Sequence, residues 1–150
     1  MKKPLFFLLI DDDIEDTFIF KEVLESMESQ INFQNAKDGL EALQLLKDSV
    51  ALPDTIFLDL NMPRMNGKEC LAKLKSDPHL KQVPVIIYTT SLQSSDIEET
   101  LQKGAACFIA KPTSIKDLKK ILSFIAENLY NNFEKKLNAV SDSFNTFIVC

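Results

Sequence analysis

Four short apolar runs in this chain each end on a polar residue suited to phosphate chemistry. Short runs with this content are typical of buried parallel strands. Ligands of open parallel sheets bind beyond the carboxyl ends of the strands, so the polar residues should converge on one spot. The runs are 5–10 before Asp11, 55–58 before Asp59, 85–88 before Thr89, and 108–110 before Lys111.

Helical patterns alternate with these runs and predict an α/β protein with helices on both faces of a parallel sheet. The predicted strands are 5–10, 31–34, 55–58, 83–88 and 107–110, and the predicted helices are about 15–29, 39–49, 67–76, 95–103 and 114–137. The last helix is longer than the sheet needs. Residues 138–150 fall outside the repeat, which predicts one domain over 4–137 followed by a short tail.

Composition excludes several classes of protein. A net charge of −5 argues against nonspecific nucleic-acid binding. The chain has no apolar run long enough for a membrane span, and the apolar run near Met1 is too short and too acidic at its end for a signal peptide. Cys70, Cys107 and Cys150 are odd in number and widely spaced, which favours reduced thiols in a cytoplasmic protein over a disulfide framework.

The order and spacing of these polar residues resemble the receiver domain of two-component response regulators. The motifs are the Asp11-Asp12 pair, Asp59 within Leu-Asp-Leu-Asn-Met-Pro, Gly67, Thr89, and Lys111 followed by proline. The resemblance covers about residues 4–137 and looks strongest to regulators paired with phytochrome-type kinases. It implies a flavodoxin-like, five-stranded parallel sheet with strand order 2-1-3-4-5.

The resemblance also implies a role for each site residue. Asp59 would accept the phosphoryl group, and Lys111 and Thr89 would contact its oxygens. Mg²⁺ would be held by Asp11, Asp12, Asp59 and the backbone carbonyl of Asn61. Thr89 and Phe108 would form the conformational switch, and the Lys111–Pro112 bond would be cis.

Three of these assignments keep an alternative. The metal-binding pair could be Asp12 and Asp13, although Asp13 also suits a helix N-terminus. Thr90 and Ser91 offer hydroxyls beside Thr89, and Thr90 stands where the family prefers a smaller residue. Phe108 could equally be a plain core aromatic.

The expected function is that of a single-domain regulator rather than an enzyme. Its partners would be a sensor histidine kinase or phosphotransfer protein and a downstream protein target, with no role for nucleic acid or membrane. A pseudo-receiver that works without phosphorylation is the alternative. A hydrolase of the aspartyl-phosphate type would need an acid where Asn61 stands, and a flavin phosphate would be repelled by Asp11, Asp12 and Asp13.

The end of the chain suggests a homodimer. Leu129, Tyr130, Phe133 and Leu137 continue the apolar stripe of the predicted last helix beyond the sheet. A monomer would leave part of this stripe in water unless the tail covered it, because exposed apolar patches of this kind usually mark contacts. We therefore expect a dimer through the C-terminal extension, with coverage by the tail as the alternative.

Overall fold

A computed structural model describes residues 3–150 as a sheet of six strands surrounded by helices. The strand order is β2-β1-β3-β4-β5-β6, and the first five strands are parallel. The strands are β1 (Leu5–Ile10), β2 (Ile31–Ala36), β3 (Thr55–Leu58), β4 (Val85–Thr89), β5 (Cys107–Ala110) and β6 (Ile148–Val149). The α/β receiver-type sheet and its strand order are as predicted, and β6 is an addition at one edge.

The helices are α1 (Ile14–Ser26), α2 (Gly39–Asp48), α3 (Gly67–Ser76), α4 (Ser94–Gln102), α5 (Ile115–Asn128) and α6 (Phe133–Ala139), followed by a 3₁₀ turn at Ser141–Ser143. Side-chain caps set where several of them begin. Asp13, Asp38 and Ser114 each accept a hydrogen bond from the third helical residue, and Asn66 forms a reciprocal capping box with Glu69. Within residues 3–150, no helix has the length and apolar content needed to cross a bilayer.

The inner strands of the sheet are buried on both faces, which explains why they are nearly continuous apolar runs. Every residue of β3, β4 and β5 is buried, whereas β2 at the sheet edge alternates between half-buried and exposed residues up to the buried Ala36. Two apolar clusters form the core, one on each face. Phe20 of α1, Phe57 of β3 and Tyr88 of β4 meet edge to face in the first cluster. This rigid sheet positions the polar residues at its carboxyl edge.

The predicted continuous helix to residue 137 is wrong. Helix α5 ends at Asn128, and α6 begins at Phe133 after a turn in which Asn132 is left-handed with φ 57°. Asparagine tolerates this conformation better than most residues. The turn allows α6 to fold back, so that Phe133 and Leu137 are buried against the core.

The tail packs against its own domain. Strand β6 pairs with β5 in antiparallel register, and the Phe144 ring lies 5.8 Å from that of Phe124 on α5. Leu129 is buried as well, and Tyr130 is the member of the apolar stripe left exposed, at 78%. The stripe on which we based the homodimer is thus covered within the chain, so a second subunit is not needed to bury it.

Two further expectations are wrong: that all three cysteines are reduced, and that the Lys111–Pro112 bond is cis. Cys107 and Cys150 form a disulfide, because the pairing of Phe108 with Val149 brings their neighbours opposite each other. Cys70 alone is free among the three cysteines, and burial raises the pKa of its thiol to about 12.

No peptide bond within residues 3–150 is cis, so Lys111–Pro112 has the trans form that is intrinsically favoured for X–Pro bonds.

Candidate functional site

The ends of β1 and β3 bring Asp11 and Asp59 side by side. The Asp59 main-chain N–H donates to the Ile10 carbonyl at 2.9 Å, and the Asp11 N–H donates to the Ala36 carbonyl at 2.9 Å. Both residues therefore extend the strand ladder by one position, with side chains at the carboxyl edge of the sheet. Asp11 is 1% exposed and Asp59 is 6% exposed. The arrangement concentrates negative charge where water is scarce.

Asp12 completes an acidic cluster with these two residues. One carboxylate oxygen from each of Asp11, Asp12 and Asp59 lies within 4.8 Å of the others. The Oδ2 atom of Asp11 is buried, and the Lys111 ammonium is its close polar neighbour. Carboxylate oxygens in this arrangement fit a hard divalent cation, which would relieve their mutual repulsion.

Asp13 has a different role from its two neighbours. Its side chain caps α1 by accepting a hydrogen bond from the Asp16 N–H at 3.0 Å, and its own N–H donates to Asp11 Oδ1 at 3.0 Å. Asp13 is not a member of the acidic cluster. The alternative metal-binding pair of Asp12 and Asp13 is therefore not the one that the fold assembles.

Lys111 carries the positive charge of the site. Its Nζ lies 2.8 Å from Asp11 Oδ2, 2.7 Å from Asp16 Oδ2 and 3.9 Å from Asp59 Oδ2, and its side chain is 9% exposed. It also sits 5.7 Å above the ring centre of Tyr88. The ammonium thus approaches Asp59 but makes its shortest contacts with two other carboxylates.

The pKa values of Asp11 and Lys111 are both raised, for different reasons. Burial raises the pKa of Asp11 to about 6, and the hydrogen bond and charge of Lys111 oppose the shift only partly. Burial lowers the pKa of Lys111, but hydrogen bonds to Asp11 and Asp16 and the charge of Asp59 outweigh it, so the net shift is upward. Lys111 therefore remains an ammonium at any physiological pH.

Thr89 is the fully buried member of three consecutive hydroxyl residues, and its main chain pairs with that of Lys111. It ends β4, is fully buried, and its carbonyl accepts a hydrogen bond from the Lys111 main-chain N–H at 2.8 Å. Thr90 is exposed. The Ser91 hydroxyl donates to Asp96 Oδ2 at 2.7 Å, while the Ser91 N–H approaches Thr89 Oγ1 at 3.5 Å. Among the three hydroxyls, Thr89 best matches the predicted position.

The Phe108 side chain of β5 lies in the protein interior. Its ring is fully buried and meets the Phe147 ring of the tail edge to face, with centroids 6.3 Å apart. The aromatic position predicted for the switch is thus inward, in contact with a segment outside the strand-helix repeat.

The loop between β3 and α3 forms one wall of an open groove beside Asp12. The groove has a volume of about 990 Å³, and Asn61, Lys68, Ser91 and Asp96 are among the residues that line it. Lys68 Nζ bridges to Asp96 Oδ1 at 2.6 Å and so ties the start of α3 to α4. The groove gives solvent access to the acidic cluster.

Asp16 is the site residue that the sequence patterns did not reveal. It lies in the first turn of α1, five residues after Asp11, where an acidic residue is expected from the helix dipole alone. The capping residue Asp13 could have indicated Asp16, because it fixes the start of α1 directly after Asp11 and Asp12 in the sequence. A helix placed there turns residue 16 toward the carboxyl edge.

Known proteins are similar to this chain in sequence and in fold. The family model described as response regulator receiver domain matches residues 7–123. Response regulator Rcp1 of Synechocystis sp. is 32% identical over 127 residues, which are 81% of this chain and 86% of that protein. Chemotaxis protein CheY-3 of Vibrio cholerae is 34% identical over 129 residues, which are 86% of this chain and 97% of that protein.

Solved structures agree with this match. The phosphorylated cyanobacterial phytochrome response regulator RcpA has a TM-score of 0.78 at 30% identity, over 86% of this chain and 96% of that one. The Mn²⁺-bound form of Rcp1 has a TM-score of 0.75 at 30% identity over the same shares of the two chains. The fold, the site and the extent of both matches lead to one conclusion: this chain belongs to the family of response regulator receiver domains.

Proposed function

We propose that this protein is a phosphoacceptor of a two-component pathway, with Asp59 as the phosphorylated residue. The observation that carries the proposal is that the buried Asp59 carboxylate belongs to the acidic cluster and also lies 3.9 Å from the Lys111 ammonium. Membership in the receiver family supports two-component signalling in general. The geometry adds which residues would do the chemistry.

In the reaction, an Asp59 carboxylate oxygen forms a bond to the donor phosphorus. The bond from phosphorus to the donor's leaving atom breaks, and the leaving group departs with the electron pair. Asp59 is then an acyl phosphate. Catalysis of this transfer consists mainly of positioning and charge neutralisation, which Lys111 and the Thr89 hydroxyl would supply to the phosphoryl oxygens.

Asp11, Asp12, Asp59 and the backbone carbonyl of Asn61 would hold a divalent cation, which we propose to be Mg²⁺. The all-oxygen donor set, with two buried carboxylates beside the exposed Asp12, supports this assignment. The Mn²⁺-bound state of Rcp1 is a related case in another protein. When bound, the cation supplies positive charge to the attacking and transferred oxygens.

The downstream signal would be a shift between two conformations of one fold. Thr89 and Phe108 are the residues we assign to this switch, and the buried inward Phe108 is one of its two states. The partners would be a sensor histidine kinase or phosphotransfer protein on the input side and a target protein on the output side. The protein would act in the cytoplasm and would perform no turnover beyond its own phosphorylation and slow dephosphorylation.

Intact-mass spectrometry after incubation with acetyl phosphate and Mg²⁺ tests the proposal. The wild type should gain the mass of one phosphoryl group, and chelation of Mg²⁺ should prevent the gain. Asp59→Asn should gain nothing, whereas Asp48→Asn at the exposed end of α2 should behave as the wild type. No gain by the wild type would instead favour the alternative of a pseudo-receiver that interacts without phosphorylation.

A further inference from the structure

The Lys111 ammonium lies near three carboxylates. The nearest of them, Asp16, is neither the proposed phosphoacceptor nor a proposed metal ligand. Lys111 Nζ is 2.7 Å from Asp16 Oδ2 but 3.9 Å from Asp59 Oδ2. Asp16 is also outside the cluster formed by Asp11, Asp12 and Asp59. Its carboxylate therefore acts on the ammonium and not on the proposed cation site.

The position of Asp16 is built into the start of α1. Its main-chain N–H donates to the capping carboxylate of Asp13, whose own N–H donates to Asp11 Oδ1. The turn that carries Asp16 is thus anchored to the acidic pair. The hydrogen bond from Lys111 to Asp16 then joins residues 95 positions apart in the chain.

We propose that Asp16 is a positioning residue that holds the Lys111 ammonium against α1 and competes with the phosphoryl group for it. The inference rests on the proposed phosphorylation of Asp59. In the unphosphorylated protein, the contact keeps Lys111 out of hydrogen-bonding distance of Asp59. Phosphorylation would then require the ammonium to change partners.

Exposure decides which carboxylate releases Lys111. The phosphoryl oxygens bring additional negative charge and new acceptors to the site once the bond to Asp59 forms and acetate departs with its electron pair. The Asp16 side chain is 34% exposed and the Asp11 side chain is 0% exposed. Water can solvate Asp16 after release, whereas the buried Asp11 would lose a charge partner that water cannot replace. Lys111 should therefore leave Asp16 and keep Asp11.

The test compares Asp16→Asn with a matched charge deletion, Glu15→Gln. Glu15 lies in the same helical turn, is exposed, and has no contact with Lys111 among the described ion pairs. The measurements are the phosphorylation rate constant with acetyl phosphate at saturating Mg²⁺ and the affinity for beryllofluoride, a mimic of the phosphoryl group. A third variant, Asp16→Glu, retains the carboxylate.

Asp16→Asn should raise both the rate constant and the beryllofluoride affinity by about two- to fivefold, the size of one partly exposed ion pair. Glu15→Gln and Asp16→Glu should stay close to the wild type. A merely structural role for Asp16 would lower both quantities together with the melting temperature. Equal gains in Asp16→Asn and Glu15→Gln would mean that the loss of one negative charge, and not the loss of the Lys111 contact, causes the gain, and would overturn the inference.

The two proposals fail in different ways. If the wild type takes up phosphoryl groups but Asp16→Asn matches it in both measurements, the role of Asp16 is wrong and the function of Asp59 stands. If the wild type takes up no phosphoryl group and does not bind beryllofluoride, the proposed function fails, and the proposed competition between Asp16 and the phosphoryl group fails with it.

Discussion

The main chain at Gly67 lies so close to Asp59 that a β-carbon on residue 67 would overlap the Asp59 carbonyl oxygen and come within 2.6 Å of the Leu60 α-carbon. The Gly67 N–H also donates to the Leu60 carbonyl at 3.0 Å. Helix α3 can therefore begin directly against the acceptor strand only if residue 67 has no side chain.

Gly67→Ala should shift the Asp59 main chain, because the three atoms nearest to the new methyl group all belong to the backbone. We expect a loss of about 1–3 kcal/mol in the free energy of unfolding, as for other overpacked positions, and slower uptake of a phosphoryl group. Chemical denaturation and labelling with acetyl phosphate measure the two effects. Lys73→Ala, at an exposed position of the same helix, serves as a control that leaves the close approach intact. A Gly67→Ala protein of normal stability would show that α3 can move freely.

A second prediction concerns pH. Because burial raises the pKa of Asp11 to about 6 from 3.8, the folded protein binds this proton more tightly than the unfolded chain does. The stabilisation that the bound proton of Asp11 gives the folded protein is complete below about pH 4 and is lost as pH rises through 6. In chelator, the free energy of unfolding of the wild type should fall by about 2–3 kcal/mol over that range relative to Asp11→Asn. Parallel pH profiles of the two proteins would contradict the shift.

The third prediction separates two neighbouring aspartates by their response to Mg²⁺. At one hundred times its Kd, the cation should stabilise the wild type by about 2.7 kcal/mol. Asp12→Ala should lose most of this response, and its stability without metal should rise as carboxylate repulsion falls. Asp13→Ala removes the cap of α1 and should cost about 1 kcal/mol while keeping the full response. Thermal melts with and without Mg²⁺ distinguish these outcomes, and equal responses in the wild type and Asp12→Ala would remove Asp12 from the site.

The fourth prediction concerns the tail. The Cys107–Cys150 bond closes a loop with a sequence separation of 43. Under oxidising conditions, Cys150→Ser should lower the free energy of unfolding by about 2–4 kcal/mol, because the unfolded chain regains conformational freedom. In excess reductant, the wild type and the variant should become equal in stability. A difference that persisted in reductant would mean that the residue contributes by packing rather than by the bond.

The parallel part of the fold and the convergence of the site were predictable because local signals agree there. Each apolar run is short, β-like and stopped by a polar residue, and each residue predicted to meet at the carboxyl edge lies at a strand end. Asp11, Asp12 and Asp59 meet as expected because β1 and β3 are neighbours.

The C-terminal region was not predictable from local pattern. The helical spacing of Leu129, Phe133 and Leu137 continues unbroken across the turn at Asn132, with no glycine or proline to mark the change. The pairing of β6 with β5 is set by contacts between distant parts of the chain, and the disulfide follows from that pairing. Asp16 was missed for a related reason, since its partner Lys111 is remote in sequence.

The most direct test of the central claim is to identify the phosphorylated residue itself. Borohydride reduces an aspartyl phosphate to homoserine, which marks the acceptor permanently for peptide mass spectrometry. After treatment with acetyl phosphate and Mg²⁺, we expect homoserine at Asp59 and unmodified aspartate at positions 11, 12, 13 and 16. Homoserine at any of those four positions, with Asp59 unmodified, would contradict the account.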